Sequence, residues 1–421
     1  MDHLELNDLS KIGFGTHNVS GKNKEHCKAL AHALKMGCNL IDTSANYMQG
    51  ESEQLIGDIL SQQTMHAFVV SKPGYLESEN LHALIAAVSG NLIHPDFLKN
   101  RLELSLQRLN GRLDAYLLQN PEFCFTQEKC PTQEEFYERI GVAFEFLEQQ
   151  TAEGKIRYYG ISSNTFHLST GHSNTIQLSR VLEIARNISS NHHFKFIEFP
   201  LNLCETEALM KHNKGESILD LAQNNGLVTL SNRPLNAMTA EGALRLACNE
   251  GNESRQEEQR AEEDSECFNE VLECVRKRLL KQDDQSDPME FLIIRNLSEN
   301  WKRIGNPEGA ETLFQDYFFP FLDQLYQGRI PKKDLQIFER FCEKVLEYAV
   351  RTRTERTHLF YRLLREKNET HRVDTRSFAV QAIDYCLQSG VDHVLTGMRN
   401  QGYVDEVKNL FRSSQYKMEA N

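Results

Sequence analysis

The chain has 421 residues, with 47 Lys and Arg against 60 Asp and Glu, so its formal charge is −13. That balance argues against a general grip on nucleic-acid phosphates, and no apolar run reaches the ~18 residues of a membrane span. The opening MDHLELNDLSKIGF is acidic where a targeting peptide is basic, and ten cysteines without a CxxC pair read as reduced thiols, so a cytoplasmic protein is expected.

In chain order, short β-rich runs are expected near 11–16, 39–43, 67–72, 113–119, 156–162, 194–199 and 226–231. Helical patterns lie between them. Cys27, Leu30, Ala31 and Leu34 recur at helical spacing before Gly37. Leu98, Leu102, Ser105, Leu106 and Leu109 make a second face, and Phe136, Ile140, Phe144 and Leu147 a third. Such alternation implies a parallel sheet. An eighth strand follows only near 392–397, with helices around 376–389 and 402–411. The predicted fold is therefore α/β, a (β/α)8 TIM barrel with a helical insertion between strand seven and strand eight.

The expected divisions are 1–239 for strands one to seven, 240–372 for the insertion, and 373–421 for the last helix, strand and helix. No strand is predicted in 240–372. EGNESRQEEQRAEEDSE at 250–266 is polar and acidic, and reads as a solvated linker. Three apolar stripes follow: Phe268, Val271, Leu272, Val275 and Leu279; then Leu313, Phe314, Tyr317, Phe318, Phe321, Leu322 and Leu325; then Leu335, Phe338, Phe341, Cys342, Val345 and Leu346. They predict helices with a small core of their own, kinked at Pro320. Leaving strand seven at the barrel's C-terminal rim, the insertion is expected to cap the site mouth, selecting substrates or docking a protein partner.

The densest motif is Asp42-Thr-Ser-Ala-Asn-Tyr47 followed by Gly50-Glu-Ser-Glu53 and Gly57. Strand two delivers Asp42 to the rim where barrels of this kind build their sites, strand three ends at Lys72, and strand four at Gln119. A phenol titrates near 10 in water; an adjacent ammonium lowers that value, and a carboxylate holds the ammonium in place. Such a trio can protonate a carbonyl oxygen. His167, His172, His192 and His193 lack metal-ligand spacing and read as solvated loop histidines, so no metal site is expected.

The segments IDTSANYMQGESEQLIGDIL, VVSKPGY, LDAYLLQNPE, GKIRYYGISSN, LSNRPL and VLTGMRN, in this order, resemble the aldo/keto reductase family over roughly 9–237 and 374–411. The resemblance implies a barrel that binds NADP(H) and reduces a small-molecule carbonyl, an aldehyde or ketone. By motif position it implies Tyr47 as proton donor, Lys72 as its partner and Asp42 as the residue orienting that Lys. Ser162, with Ser163 and Asn164, takes the place that holds the nicotinamide carboxamide. Gly397 and Arg399 fall in the turn that meets the 2′-phosphate. There are departures. Gln119 stands where the family has a catalytic His, and a carboxamide cannot exchange a proton near neutral pH. Glu198 replaces a Gln that binds the carboxamide, Asn232 and Arg233 replace a stacking Tyr, and Val407 and Tyr403 replace an adenine-binding Asn and an Arg. Two readings follow: an NADP(H)-dependent oxidoreductase, or a catalytically weak barrel serving as a cofactor-sensing regulatory protein.

Overall fold

The structure, a computed structural model, describes residues 4–62, 66–74, 92–126, 132–168, 175–211, 215–239, 242–247, 269–271, 273–278, 301, 307–367 and 375–412. The acidic segment 250–266, His172, Phe268, Leu272 and Leu279 lie outside these. The chain forms two compact units, one of residues up to Leu235 together with those from Val380, the other Asn236–Ala379. Among the described residues no helix is long and apolar enough to cross a membrane.

The first unit is a closed, all-parallel, eight-stranded barrel. Its strands are β1 (Ile12–Gly15), β2 (Leu40–Asp42), β3 (Phe68–Ser71), β4 (Ala115–Gln119), β5 (Tyr158–Ser162), β6 (Phe194–Pro200), β7 (Val228–Asn232) and, after the second unit, β10 (His393–Gly397). All eight strands expected from the alternation are present, their ends differing by a residue or two. The last strand closes the ring by pairing with both β1 and β7. Asp392 secures the β7 seam, its carboxylate accepting from Thr229 N at 2.9 Å while its own N–H donates to Thr229 Oγ1 at 2.8 Å.

Period-two alternation turns this barrel into a site. Leu40, Phe68, Val70, Ala115, Leu117, Phe196, Val228, Leu230 and Leu395 form one buried cluster. Gly160 belongs to the same tier, where a Cβ would stand 2.0 Å from Phe196 O. Two residues further along each strand, on the same face, stand Asp42, Lys72, Gln119, Ser162, Glu198, Asn232 and Gly397. A polar layer therefore rests on an apolar floor.

The helices cover the barrel with the faces their spacing dictates, in places turned by one residue. In α1 (Lys24–Lys35) the buried residues are Ala29, Leu30, Ala33 and Leu34, so Leu30 and Leu34 belong to the packed stripe while Ala31 stands at its border. Between β2 and β4 run α2 (Glu51–Gln62) and α3 (Pro95–Arg108). A Cβ at Gly57 would lie 2.2 Å from Arg108 O, so these helices meet where only glycine fits. Glu53, fully buried, accepts from Ser71 Oγ at 2.6 Å and pairs with Arg108 at 3.2 Å. Half of the densest motif is thus scaffold. Helices α4 (Gln133–Ala152), α5 (Leu178–Ile188) and α6 (Ile218–Asn224) follow, the first and last closed by capping boxes at Thr132/Glu135 and Ser217/Asp220.

The second unit opens with a feature the sequence reading missed. The antiparallel pair β8 (Asn236–Thr239) and β9 (Gly242–Arg245) occupies a stretch assigned no strand. Each strand has four residues, too few for a periodic signal, and Gly242 takes φ +101° at the turn. Then come α7 (Pro307–Leu313), α8 (Phe319–Tyr326) and α9 (Lys332–Lys367). Val271, Val275, Trp301, Phe314, Phe318, Phe321, Leu322, Leu325, Phe338, Phe341, Cys342 and Val345 pack into one core. Tyr317 departs from its stripe and is 65% exposed. It lies in a π-helical turn, Phe314–Phe318, which changes the angular spacing. Pro320, where a kink was expected, sits in the first turn of α8 directly after that π turn. The first unit ends with α10 (Phe378–Gln388), which begins at the boundary, then β10 and α11 (Gln401–Val407).

Candidate active site

The polar layer is organised around Lys72, which is 1% exposed. Its ammonium pairs with Asp42, pairs with Glu198 at 3.2 Å and donates to Thr43 O at 3.3 Å. The ladder continues past the strand ends to hold it there. Thr43 N donates to Val70 O at 2.9 Å, Ala45 N to Lys72 O at 2.9 Å, and Arg101 Nε to Pro73 O at 2.7 Å. Burial alone would lower the Lys72 pKa, but the Asp42 and Glu198 carboxylates outweigh it and hold the ammonium above its ordinary value. Burial pushes the Asp42 carboxyl up to about 7, with Lys72 opposing and Glu198 adding to the rise. Two carboxylates share one buried cation. Glu198, expected beside a cofactor carboxamide, pairs with Lys72 and accepts from Asn232 Nδ2 at 2.7 Å, while its Oε2 makes no hydrogen bond.

Tyr47 opens the turn after β2, half-buried, its ring centroid 5.8 Å from Lys72 Nζ. Met48 and Gln49 follow at φ +48° and +57°, which aims the chain away so that the phenol stays at the rim. Gln119, 8% exposed, ends β4; its Oε1 accepts from Ser44 Oγ at 2.8 Å. Ser44 Oγ also lies 2.7 Å from Asn46 Oδ1, and these contacts tie Gln119 to the Asp42–Tyr47 loop. Asp42, Tyr47, Lys72 and Gln119 therefore form one constellation.

Next to it, β5 delivers Ser162 and Ser163, both buried, and Asn164. Ser163 N donates to Glu198 O at 2.9 Å, and Ser163 Oγ accepts from Thr165 N at 3.0 Å. Asn164 N donates to Glu122 Oε1 at 2.8 Å, and Asn164 Nδ2 to Asn120 Oδ1 at 3.1 Å. Burial pushes the Glu122 carboxyl up to about 7. Asn232, half-buried, carries an Oδ1 that is buried and makes no hydrogen bond.

The outer candidates divide. Arg233, at φ +54°, is committed to Glu205 at 2.6 Å. A Cβ at Gly397 would meet nothing within 4 Å, so the space above this strand end is open. Arg399 is exposed nearby and lowers the pKa of His17 and of His26. His17 was not anticipated: its ring lies 5.1 Å from that of Tyr47 at 77°. A single histidine in a turn has no spacing to announce it. His167 is a correction, since it is buried rather than solvated, set among Glu205, Glu207 and Arg233. Among the described residues, no three His, Cys, Asp or Glu side chains come together as metal ligands.

The geometry can be set beside known proteins. The chain is 27% identical over 157 residues to "Uncharacterized oxidoreductase YqkF" of Bacillus subtilis, spanning 37% of this chain and 45% of that protein. It is 28% identical over 160 residues to "Methylglyoxal reductase YeaE" of Escherichia coli, 37% and 46% of the two chains. These matches span about half the length of those relatives. The glycerol dehydrogenase AKR11B4 from Gluconobacter oxydans aligns over 97% of this chain and 88% of its own, with 18% identity and a TM-score of 0.48. The sequence model of the Aldo/keto reductase family matches residues 11–420. With that match running from the first barrel strand past the last, the chain belongs to the aldo/keto reductase family.

Proposed function

We propose that the protein is a cytoplasmic NADP(H)-dependent oxidoreductase that reduces a small aldehyde or ketone to its alcohol. The observation that carries this reading is the buried Asp42–Lys72–Glu198 cluster with its ammonium beside the Tyr47 ring. Such a cluster is costly to bury, and a bare scaffold has no need of it.

The residues present fit a nicotinamide. The orphaned Asn232 Oδ1 can accept from a carboxamide N–H, Ser162, two strands away, is a hydroxyl partner for it, and Gly397, beside Arg399, leaves room for close approach. Ser163 and Asn164 hold that wall, and Arg399 is the candidate for the 2′-phosphate. Reduced nicotinamide bound there supplies the hydride. Tyr47 gives its proton to the carbonyl oxygen as negative charge develops on it, and the Lys72 cation stabilises the phenolate left behind. Asp42 and Glu198 fix Lys72. Gln119, beside Ser44, has amide N–H groups that can donate to the substrate oxygen.

The test is quenching of protein fluorescence by NADPH, followed by turnover with methylglyoxal, the substrate in a relative's name. Binding and turnover are expected, with Tyr47→Phe lowering kcat about 100-fold or more while the NADPH Kd holds. Absence of NADPH binding overturns the reading. The exchange of a proton-transferring group for Gln119 favours a second reading, a cofactor-sensing regulatory barrel. Binding without turnover, with activity gained in Gln119→His, would select it.

A further inference from the structure

The turn after β1 is clamped to the strand that carries Asp42. Thr16 N and Thr16 Oγ1 both donate to Asp42 O, at 3.0 and 2.9 Å. Ser52 Oγ donates to Val19 O at 2.6 Å, tying the far side of the turn to α2. Asn18, at φ +60°, makes the reversal between them. The position of His17 is therefore set by the same framework as Asp42 and Tyr47.

His17 meets the edge or face of Tyr47 at a centroid distance of 5.1 Å. Although much of its ring is open to solvent, desolvation on the inner side, then Arg399 and Lys72, lower its pKa below the ordinary 6.5. At neutral pH the imidazole is uncharged, with one N–H and one lone pair. Among the described residues, no protein group takes either nitrogen.

We propose that His17 is a hydrogen-bond donor to the substrate carbonyl oxygen, supplying from the β1 turn the imidazole that position 119 lacks. The inference rests on the carbonyl-reductase reading above. An oxygen that receives the Tyr47 proton must sit within about 3 Å of the phenol hydroxyl. An imidazole whose centroid lies 5.1 Å from that of the phenol is near enough for its N–H to share that oxygen. Gln119 ends β4 beside Ser44 while His17 stands in the β1 turn, so the two donors come from different elements rather than compete for one position. A neutral N–H aimed where negative charge develops stabilises the transition state more than the ground state. His17 keeps its proton throughout.

The experiment uses the full chain with NADPH and methylglyoxal. His17→Phe preserves a ring against Tyr47 and removes the N–H. It is expected to lower kcat/KM about 100-fold while NADPH quenching gives an unchanged Kd, which also reports an intact fold. Added imidazole should restore part of the activity of His17→Gly, and Gln119→His placed in His17→Phe should recover about tenfold. If His17→Phe turns over like wild type while Tyr47→Phe is dead, the role of His17 is overturned and the reductase reading stands. If wild type neither binds NADPH nor reduces methylglyoxal, both fall.

Discussion

Glu122 is a buried acid whose hydrogen bond to Asn164 N ties two rim loops together, and among the described residues it has no cationic partner. Its folded pKa of about 7 stands above the ~4.3 of an unfolded Glu. Between those values the folded state binds the extra proton, so stability falls as pH rises through the window. Glu122→Gln keeps the acceptor for Asn164 and cannot ionise. It should flatten that slope and stabilise the protein above pH 7 by on the order of 1–3 kcal/mol, read by urea denaturation between about pH 5 and 8. At this scale the sequence was partly legible. The convergence of Asp42, Lys72 and Gln119 was legible because strand ends of a barrel meet at one rim, and that of Tyr47 because its motif is dense. The His17–Tyr47 contact and the unpaired Asn232 Oδ1 were not, since they come from packing between neighbouring strands that no residue spacing announces. Glu198 was seen but given a different neighbour.

Helices α2 and α3 show how a motif divides between chemistry and support. Glu53 lies in the same motif as Tyr47 yet spends its charge on Arg108 and Ser71. Glu53→Ala should therefore act on stability, by roughly 2–4 kcal/mol because Arg108 and Ser71 lose a buried partner. The NADPH Kd of the protein that remains folded should not change, and chemical denaturation alongside fluorescence quenching separates the two effects. Barrel strands were legible because apolar runs alternated with helical spacing over long stretches. The β8–β9 pair was not, because four residues of mixed polarity carry no period. Pro320 was visible, but the π turn beside it was not, since no residue pattern marks one.

Over the whole molecule, the two units have separate cores, one within the barrel and one built from the phenylalanines of 314–341. Two unfolding transitions are expected in calorimetry. NADPH should raise only the barrel's, because a ligand stabilises the unit that binds it by mass action. A single transition moving as one would contradict this. The strand order has a further consequence, for the timing of synthesis. Both β1 and β7 await the last strand, so the barrel cannot close when its seventh strand leaves the ribosome. From Asn232 to His393 roughly 160 residues must be added, on the order of ten seconds of translation. Throughout that interval two sheet edges stand unpaired, a template for wrong partners. The second unit, whose contacts are local by comparison, can form first. The nascent chain thus passes through a long open-barrel stage, and chaperone demand should peak there rather than after release.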